Sequence, residues 1–435
     1  MSTSHYQVRK QALTQALLAA KQTGPVALKK STSNLFRDRQ QTKVKKIDVR
    51  NFNHVIAIDT TNLIAEVEGM TTYATVVAAT LPHGLMPAVV PELKSITVGG
   101  ATTGVGIEAS SFKYGLVHET ILEIEILLGN GQVLVCDKNH NADLFYGFPN
   151  SYGTFGYALK LKIKLVPVKK YVQLQHIHYT NPTEYFAAIQ NVHDVDFVDG
   201  TIMAADSLYL TLGKFVATAP IVSDYTYMNI YYQSIAQKKI DYLTTADFIW
   251  RWDTDWFWCS KHFHVQNPVW RWLWGRRYLN SITYAKLSRL NAKYQLVKKS
   301  GESIIQDVEI PIEHCVEFIN FFHNVIGIKP IWICPINSYD KTVTYSLYPM
   351  DVNKLYINFG FWDTVPSDKP AGYYNKLIEQ MVRKLNGKKS LYSDAYYSAE
   401  EFWELYNKTV YTRLKTKYDP TGTFRNLYEK CVLKQ

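Results

Sequence analysis

Cysteine pairs, long apolar runs and internal repeats are all missing from this 435-residue chain. Its five cysteines, Cys136, Cys259, Cys315, Cys334 and Cys431, are scattered, odd in number and never spaced CxxC. That pattern excludes a disulfide framework and a cysteine zinc site, and it suits a reducing compartment. No apolar stretch approaches the roughly 20 residues that a membrane-spanning helix needs. The opening "MSTSHYQVRKQALTQALLAAKQ" has neither the long apolar core nor the small-residue cleavage site of a secretory signal, and reads as an amphipathic helix. The expectation is a cytoplasmic protein, free or peripherally bound to a membrane. Charged residues at 20% and hydrophobic residues at 47% belong to a folded chain, long enough for two or three domains.

What is present is positive charge and aromatic surface. The net charge of +10 favours an anionic partner, whether nucleic acid, a phospholipid surface or a phosphorylated cofactor. The excess is spread along the chain and names none of them. Seven of the ten tryptophans crowd into Ile249 to Arg277, interleaved with arginines, aspartates and histidines. No RNP-like or zinc-finger signature accompanies them, so nucleic-acid binding is not expected. His262 and His264 have the spacing of two ligands on a strand, but no third ligand clusters with them and no metal is expected.

The first 170 residues predict an α+β unit built on antiparallel hairpins. "PVALKK" and "KKIDV" read as strands flanking the polar loop "STSNLFRDRQQT"; "HVIAIDTTNLIAEVEG" and "ETILEIEILLGNGQVLVC" alternate as hairpins; "GYALKLKIKLVPV" alternates to Pro167. "TTYATVVAATL" reads as a helix. From residue 171 to 389 the composition turns aromatic, with further strands in "VDGTIMAADSLYLTLGKFV" and "KLYINFGFW". Residues 390–435 carry a capping box, Ser398 with Glu401, and a break at Asp-Pro-Thr-Gly.

The chemical signal is "TVGGATTGVGIEASSFKYG", Thr97 to Gly115, where glycines alternate with hydroxyl residues. Such a loop predicts close backbone approach, positive-φ turns and free N–H donors, suited to a phosphate or a flat heterocycle. A P-loop fails because Gly104 is followed by Val105-Gly106 rather than Lys-Ser/Thr. A Rossmann fingerprint fails because only "SITV" precedes it and no apolar helix follows.

"TVGGATTGVGIEASSFKYGL", followed by "DLFYGFPNSYGTFGYALKLKIKLVPVKKY", resembles the FAD-binding half of the PCMH-type (vanillyl-alcohol-oxidase) flavoprotein superfamily, and within it the delta-24 sterol reductase branch. "PELKSITVGG", "NIYY", "PIWICP" and "LYSDAYYSAEEFWELY" extend the likeness from about Pro91 to the C-terminus. The block "WRWDTDWFWCSKHFHVQNP" is similar to bacterial members of that branch, which resemble reductases of a methylene group on a phospholipid acyl chain.

The resemblance implies a two-subdomain FAD-binding domain at residues 1–170, an α+β cap for substrate at 171–389, and a C-terminal segment, 390–435, returning to the FAD domain. It implies that Lys30, Ser31, Thr32, Ser33 and Asn34 hold the pyrophosphate, with a solvated polar turn as the alternative. Gly99, Gly100, Thr102, Thr103, Gly104, Gly106, Ile107, Ser110, Lys113 and Tyr114 would pack on the flavin, and Gly153, Thr154 and Gly156 on the adenine side. Neither glycine loop holds the histidine used for covalent attachment, so FAD is expected to be non-covalent. The implied reaction reduces an isolated carbon–carbon double bond of a lipid, a sterol or alternatively a methylene-fatty-acyl phospholipid, with NAD(P)H as co-substrate. A sugar or alcohol oxidase is the further alternative.

Such a reaction needs a positioned acid in a dry pocket. Tyr392, Asp394, Asp253 and Asp255 are the candidates, with Glu108 and Lys113 in the glycine motif. Each also has a structural reading: Glu108 paired with Lys113, Asp253 and Asp255 paired with Arg251 or Arg271, and Tyr392 as core. Trp250 to Trp258 are expected to shape the pocket, while Trp270, Trp272 and Trp274 with Arg271, Arg276 and Arg277 dock on a membrane; an aromatic core of the cap domain is the alternative.

Overall fold

In the computed structural model, residues 3–37, 44–294 and 301–435 are described. The tail of the polar loop expected after Lys30, residues 38–43, lies outside them. The protein is α+β.

One antiparallel sheet takes its strands from the first part of the chain, in the order Val55–Asp59, Ile64–Glu68, Gly156–Pro167, Ile121–Leu128, Val133–Cys136. Leu85–Pro87 pairs with the far end of Gly156–Pro167. Both hairpins form as the alternation predicts. The central strand "GYALKLKIKLVP" buries its apolar positions and meets glutamates with its lysines: Lys160 lies opposite Glu68 on one side and Glu125 on the other. The helix Thr3–Ala20 covers the charged face of this sheet, with Arg9 paired to Glu68 at 2.5 Å and Lys10 to Glu125 at 2.7 Å. Its apolar residues Tyr6, Leu13 and Leu17 are buried with Leu127, Leu159 and Phe424. The N-terminal amphipathic face is therefore spent on the fold.

A second, eight-stranded antiparallel sheet runs Ile240–Thr244, Tyr171–Tyr179, Ser207–Val216, Phe197–Ala204, Ile331–Ile336, Tyr356–Val365, Glu302–Pro311, Lys388–Lys389. One face packs on the helices Pro182–Gln190, Cys315–Phe321 and Tyr373–Lys384 through Ile304, Val308 and Ile310. Alternation turns Ser303, Ile305 and Asp307 to the opposite face, which walls a cleft.

The C-terminal segment closes on both ends of the chain. Ser398 caps Ala399–Leu405 with Glu401, as predicted, but Asn407 at φ +54° ends that helix and starts a second, Lys408–Tyr418. At the Asp-Pro-Thr-Gly break, Asp419 accepts the N–H groups of Thr423 and Phe424, both at 2.9 Å. The Thr423 carbonyl then takes the N–H of Val26 at 2.8 Å, joining the C-terminal segment to the parallel pair Val26–Lys29 and Lys45–Asp48.

Candidate active site

A cleft of about 1950 Å³ lies between the two sheets. The glycine stretch forms one wall, as a short helix, Val98–Gly104, capped by the Thr97 hydroxyl on the N–H of Gly100. The expectation of several positive-φ glycine turns is corrected here: within Thr97 to Gly115, only Val105 and Gly115 have positive φ. Gly99 and Gly106 serve close approach instead. A Cβ on Gly99 would lie 2.7 Å from the Gly69 carbonyl oxygen, and one on Gly106 would lie 2.8 Å from Val117. At Gly99 the helix thus rests directly on the Gly69 backbone, just past the strand Ile64–Glu68.

Lys30, Thr32, Ser33, Asn34, Gly99, Gly100, Thr103, Gly104, Gly106, Ile107, Gly153, Gly156, Tyr392 and Asp394 line the cleft together. Several candidate cofactor contacts do not. Ser31 is exposed outside it. The Thr102 hydroxyl is returned to the Val98 carbonyl at 2.8 Å, and the Ser110 hydroxyl to the Ala88 carbonyl at 2.8 Å. Lys113 pairs with Asp196 at 3.5 Å, Tyr114 packs on Tyr339, and Thr154 is buried with its carbonyl on Lys415.

Asp253 and Asp255 are also held away from the cleft. Asp253 accepts the N–H of Lys94 at 3.0 Å and the Ser281 hydroxyl at 2.6 Å. Asp255 is bound at both oxygens by Arg271, at 2.7 and 2.8 Å. Desolvation does raise Asp253, as expected of an acid among tryptophans, but that acid faces protein. The tryptophan stretch divides. Trp252 and Trp258 are core, Trp256 and Phe257 line the cleft, and Trp270 and Trp272 are exposed. Two expectations are corrected: Arg271 is buried by its ion pair, and Trp274 is half-buried against Phe263 and Tyr284.

Two acidic groups escaped the sequence reading. Asp307 lines the cleft, accepts from Asn358 at 2.9 Å and is hydrogen-bonded to Tyr392; burial pushes its carboxyl up to about 6. Trp362 donates its indole N–H to Tyr392 at 2.9 Å, and burial beside Asp307 drives that phenol well above its ordinary value. The second is Glu92, within "PELKSITVGG". Arg251 donates through Nη2 to Glu108 at 3.0 Å and to Asp199 at 2.7 Å, which already balances one guanidinium with two carboxylates. Glu92 adds a third. Glu92 Oε1 and Glu108 Oε2 are both buried without a hydrogen-bond partner among the described residues. Burial, followed by the Glu108 charge, pushes Glu92 well above the carboxylate range. Glu92 is thus a carboxyl on the cleft wall whose protonated form burial favours.

The cleft fits a dinucleotide with a flat ring system. Lys30, Arg37, Lys46, Arg425 and Lys430 among its lining offset a diphosphate, and the glycine stretch admits a ring against the backbone. The buried Tyr157 hydroxyl on the same lining is an orphaned donor for such a ligand.

Comparison with known proteins defines the class: residues 9–137 match the family model described as FAD binding domain, so the chain carries an FAD-binding domain of the PCMH type. Over most of its length the chain is similar to delta(24)-sterol reductases. It is 28% identical to the Homo sapiens enzyme over 410 residues, 89% of this chain and 78% of the relative. It is 25% identical to that of Pisum sativum over 441 residues, 91% and 77% respectively. A shorter likeness, 29% over 157 residues, links 35% of the chain to 30% of cytokinin dehydrogenase 3 of Arabidopsis thaliana.

Proposed function

We propose that this protein is a lipid ene-reductase, adding hydride from NAD(P)H and a proton across an isolated carbon–carbon double bond. FAD, held non-covalently, supplies the two-electron store that links the nicotinamide to the alkene. One observation carries the reading: a single cleft joins a glycine and cation cradle to an aromatic wall and a carboxyl, Glu92, raised by burial.

An isolated alkene has no carbonyl to polarise, so the protein must offer a proton from a positioned acid while excluding water. The acids lining the cleft differ sharply in their ability to do so. Asp394 is paired with Lys434 at 2.9 Å. Against the cost of burial, hydrogen bonds from His262 and Lys261 hold Asp363 at about 2. Asp307, at about 6, is mostly ionised at neutral pH, and the Tyr392 phenol is too weak an acid. Burial favours the protonated form of Glu92, and we assign it as the donor. Tyr392, fixed by Trp362 and Asp307, orients the opposite wall.

The substrate we place first is a sterol with an unsaturated side chain, the class named for the relatives. The exposed Arg289 on the lining favours a second reading, a methylene-bearing acyl chain whose phosphate would meet that cation. A sugar or alcohol oxidase finds less support beside Trp256, Phe257, Trp332 and Trp362. Holoprotein incubated with NADPH and vesicles containing either lipid separates them. Mass spectrometry is expected to find the lipid heavier by two hydrogens; if neither lipid gains them while alcohols reduce the flavin, the oxidase reading replaces this one.

A further inference from the structure

We propose that the helix Pro268–Trp274 and the turn after it form a membrane-docking face that seats the cleft mouth on a bilayer with anionic headgroups. The helix is built inside out. Its one charged residue, Arg271, is buried and bound to Asp255, to the Val265 carbonyl at 3.2 Å and to the Tyr227 carbonyl. Val269, Trp270, Trp272 and Leu273 meanwhile stand 65, 54, 66 and 58% exposed. A helix on a protein surface ordinarily turns charge outward and apolar side chains inward. Here the buried ion pair fixes the reverse, because rotating the helix would strand Asp255 without its partner. Met228, between the two residues whose carbonyls face Arg271, and Tyr278 extend the apolar patch.

Three observations select a lipid surface over another protein chain. Trp270, Trp272 and Tyr278 are the amphipathic aromatics that settle at headgroup depth, where one end of the ring is wet and the other dry. Arg276 and Arg277 follow immediately and are exposed. Arg276 shares Asp224 at 3.7 Å, whereas Arg277 has no acid within ion-pair distance among the described residues. The patch is also continuous with the cleft. The helix Ser281–Tyr294 exposes Ile282 and Leu290 on one flank, and on the next it gives Ala285, Ser288 and Arg289 to the cleft lining. A lipid tail leaving the bilayer along this helix enters the cleft without crossing water. Among the described residues no helix is long and apolar enough to span a membrane, so this face lies in the interface plane.

The purpose of this face rests on the lipid-reductase reading, but its test reads binding without turnover, so each can fail alone. FAD-loaded protein is sedimented with vesicles of phosphatidylcholine alone or with about one third phosphatidylglycerol. Wild type is expected to prefer the anionic vesicles. The exposed triple variant Trp270→Ser, Trp272→Ser, Leu273→Ser is expected to lose more than about tenfold in partitioning, and Arg276→Gln with Arg277→Gln to lose the anionic preference. Brominated lipid should quench wild-type tryptophan fluorescence, and Trp270→Phe with Trp272→Phe should bind yet escape quenching. Unchanged binding of the triple variant, equal binding of wild type to both vesicles, or a wild-type dimer abolished by the triple variant would overturn the proposal.

Discussion

Glu92, on the cleft wall, is raised by burial and by the charge of Glu108, which Arg251 binds at 3.0 Å. The arrangement makes Glu92 an acid without exposing it to water. Glu92→Gln keeps the shape of the side chain and removes the transferable proton. It is expected to leave flavin reduction by NADPH within about twofold and to slow alkene reduction by 10²-fold or more, roughly the worth of a general acid. Separate half-reactions, followed by flavin absorbance, check this; equal slowing of both would assign Glu92 to folding.

The paired carboxylates around Arg251 also make it a keystone. Arg251→Met removes the one cation from a group of buried acids and leaves Glu108 and Asp199 uncompensated. A loss of about 3–5 kcal/mol in unfolding free energy is expected, measured by urea denaturation. Arg271→Lys, which cannot reproduce the two bonds to Asp255, is expected to lose a smaller part of its own pair's contribution.

Glycine positions discriminate cradle from loop. At Gly99 an added methyl meets the Gly69 backbone at 2.7 Å, whereas at Gly104 it finds the Tyr152 ring at 3.5 Å, an ordinary contact. Gly99→Ala is expected to cost about 1–3 kcal/mol by overpacking and to purify with less FAD. Gly104→Ala is expected to keep the wild-type stability. The flavin-to-protein absorbance ratio and a thermal melt read both.

Much of this was legible in the residues. Hairpin alternation at Val55–Glu68 and Ile121–Cys136 and the Ser398 cap are local patterns, and local physics set them. The glycine stretch announced close approach, which it achieves by backbone contact at Gly99 and side-chain contact at Gly106 and hardly at all by unusual φ. What stayed hidden depends on partners far along the chain. Asp253 and Asp255 looked like pocket acids because they sit among tryptophans, but Ser281 and Arg271 turn them inward. Asp307 and Glu309 alternate with apolar residues as a solvent-facing strand edge would, and only the second covered face of the sheet makes them buried acids. Glu92 gave a weak signal: a lone carboxylate between Pro91 and Leu93, whose protonation depends on Glu108 and Arg251.

Glu309 supplies a pH dependence with a definite sign. Burial pushes its carboxyl from the ordinary range up to about 8, with Tyr348 donating to it. Between the ordinary carboxyl pKa and about pH 8 the folded protein holds a proton that the unfolded chain has lost, so stability falls as pH rises. The slope for one proton is about 1.4 kcal/mol per pH unit. Urea unfolding at pH 6, 7 and 8 is expected to show this decline, and Glu309→Gln to flatten it.

The central claim, that reduced flavin in this cleft passes its electrons to a lipid alkene, is tested most directly by anaerobic reoxidation. Holoprotein is reduced with one equivalent of NADPH and mixed, without oxygen, with vesicles carrying an unsaturated-side-chain sterol or a methylene-acyl phospholipid. Return of the oxidised flavin spectrum with one of these lipids, and none with its saturated counterpart, is the predicted result. A flavin that stays reduced with both, or that NADPH never reduces, would contradict the account.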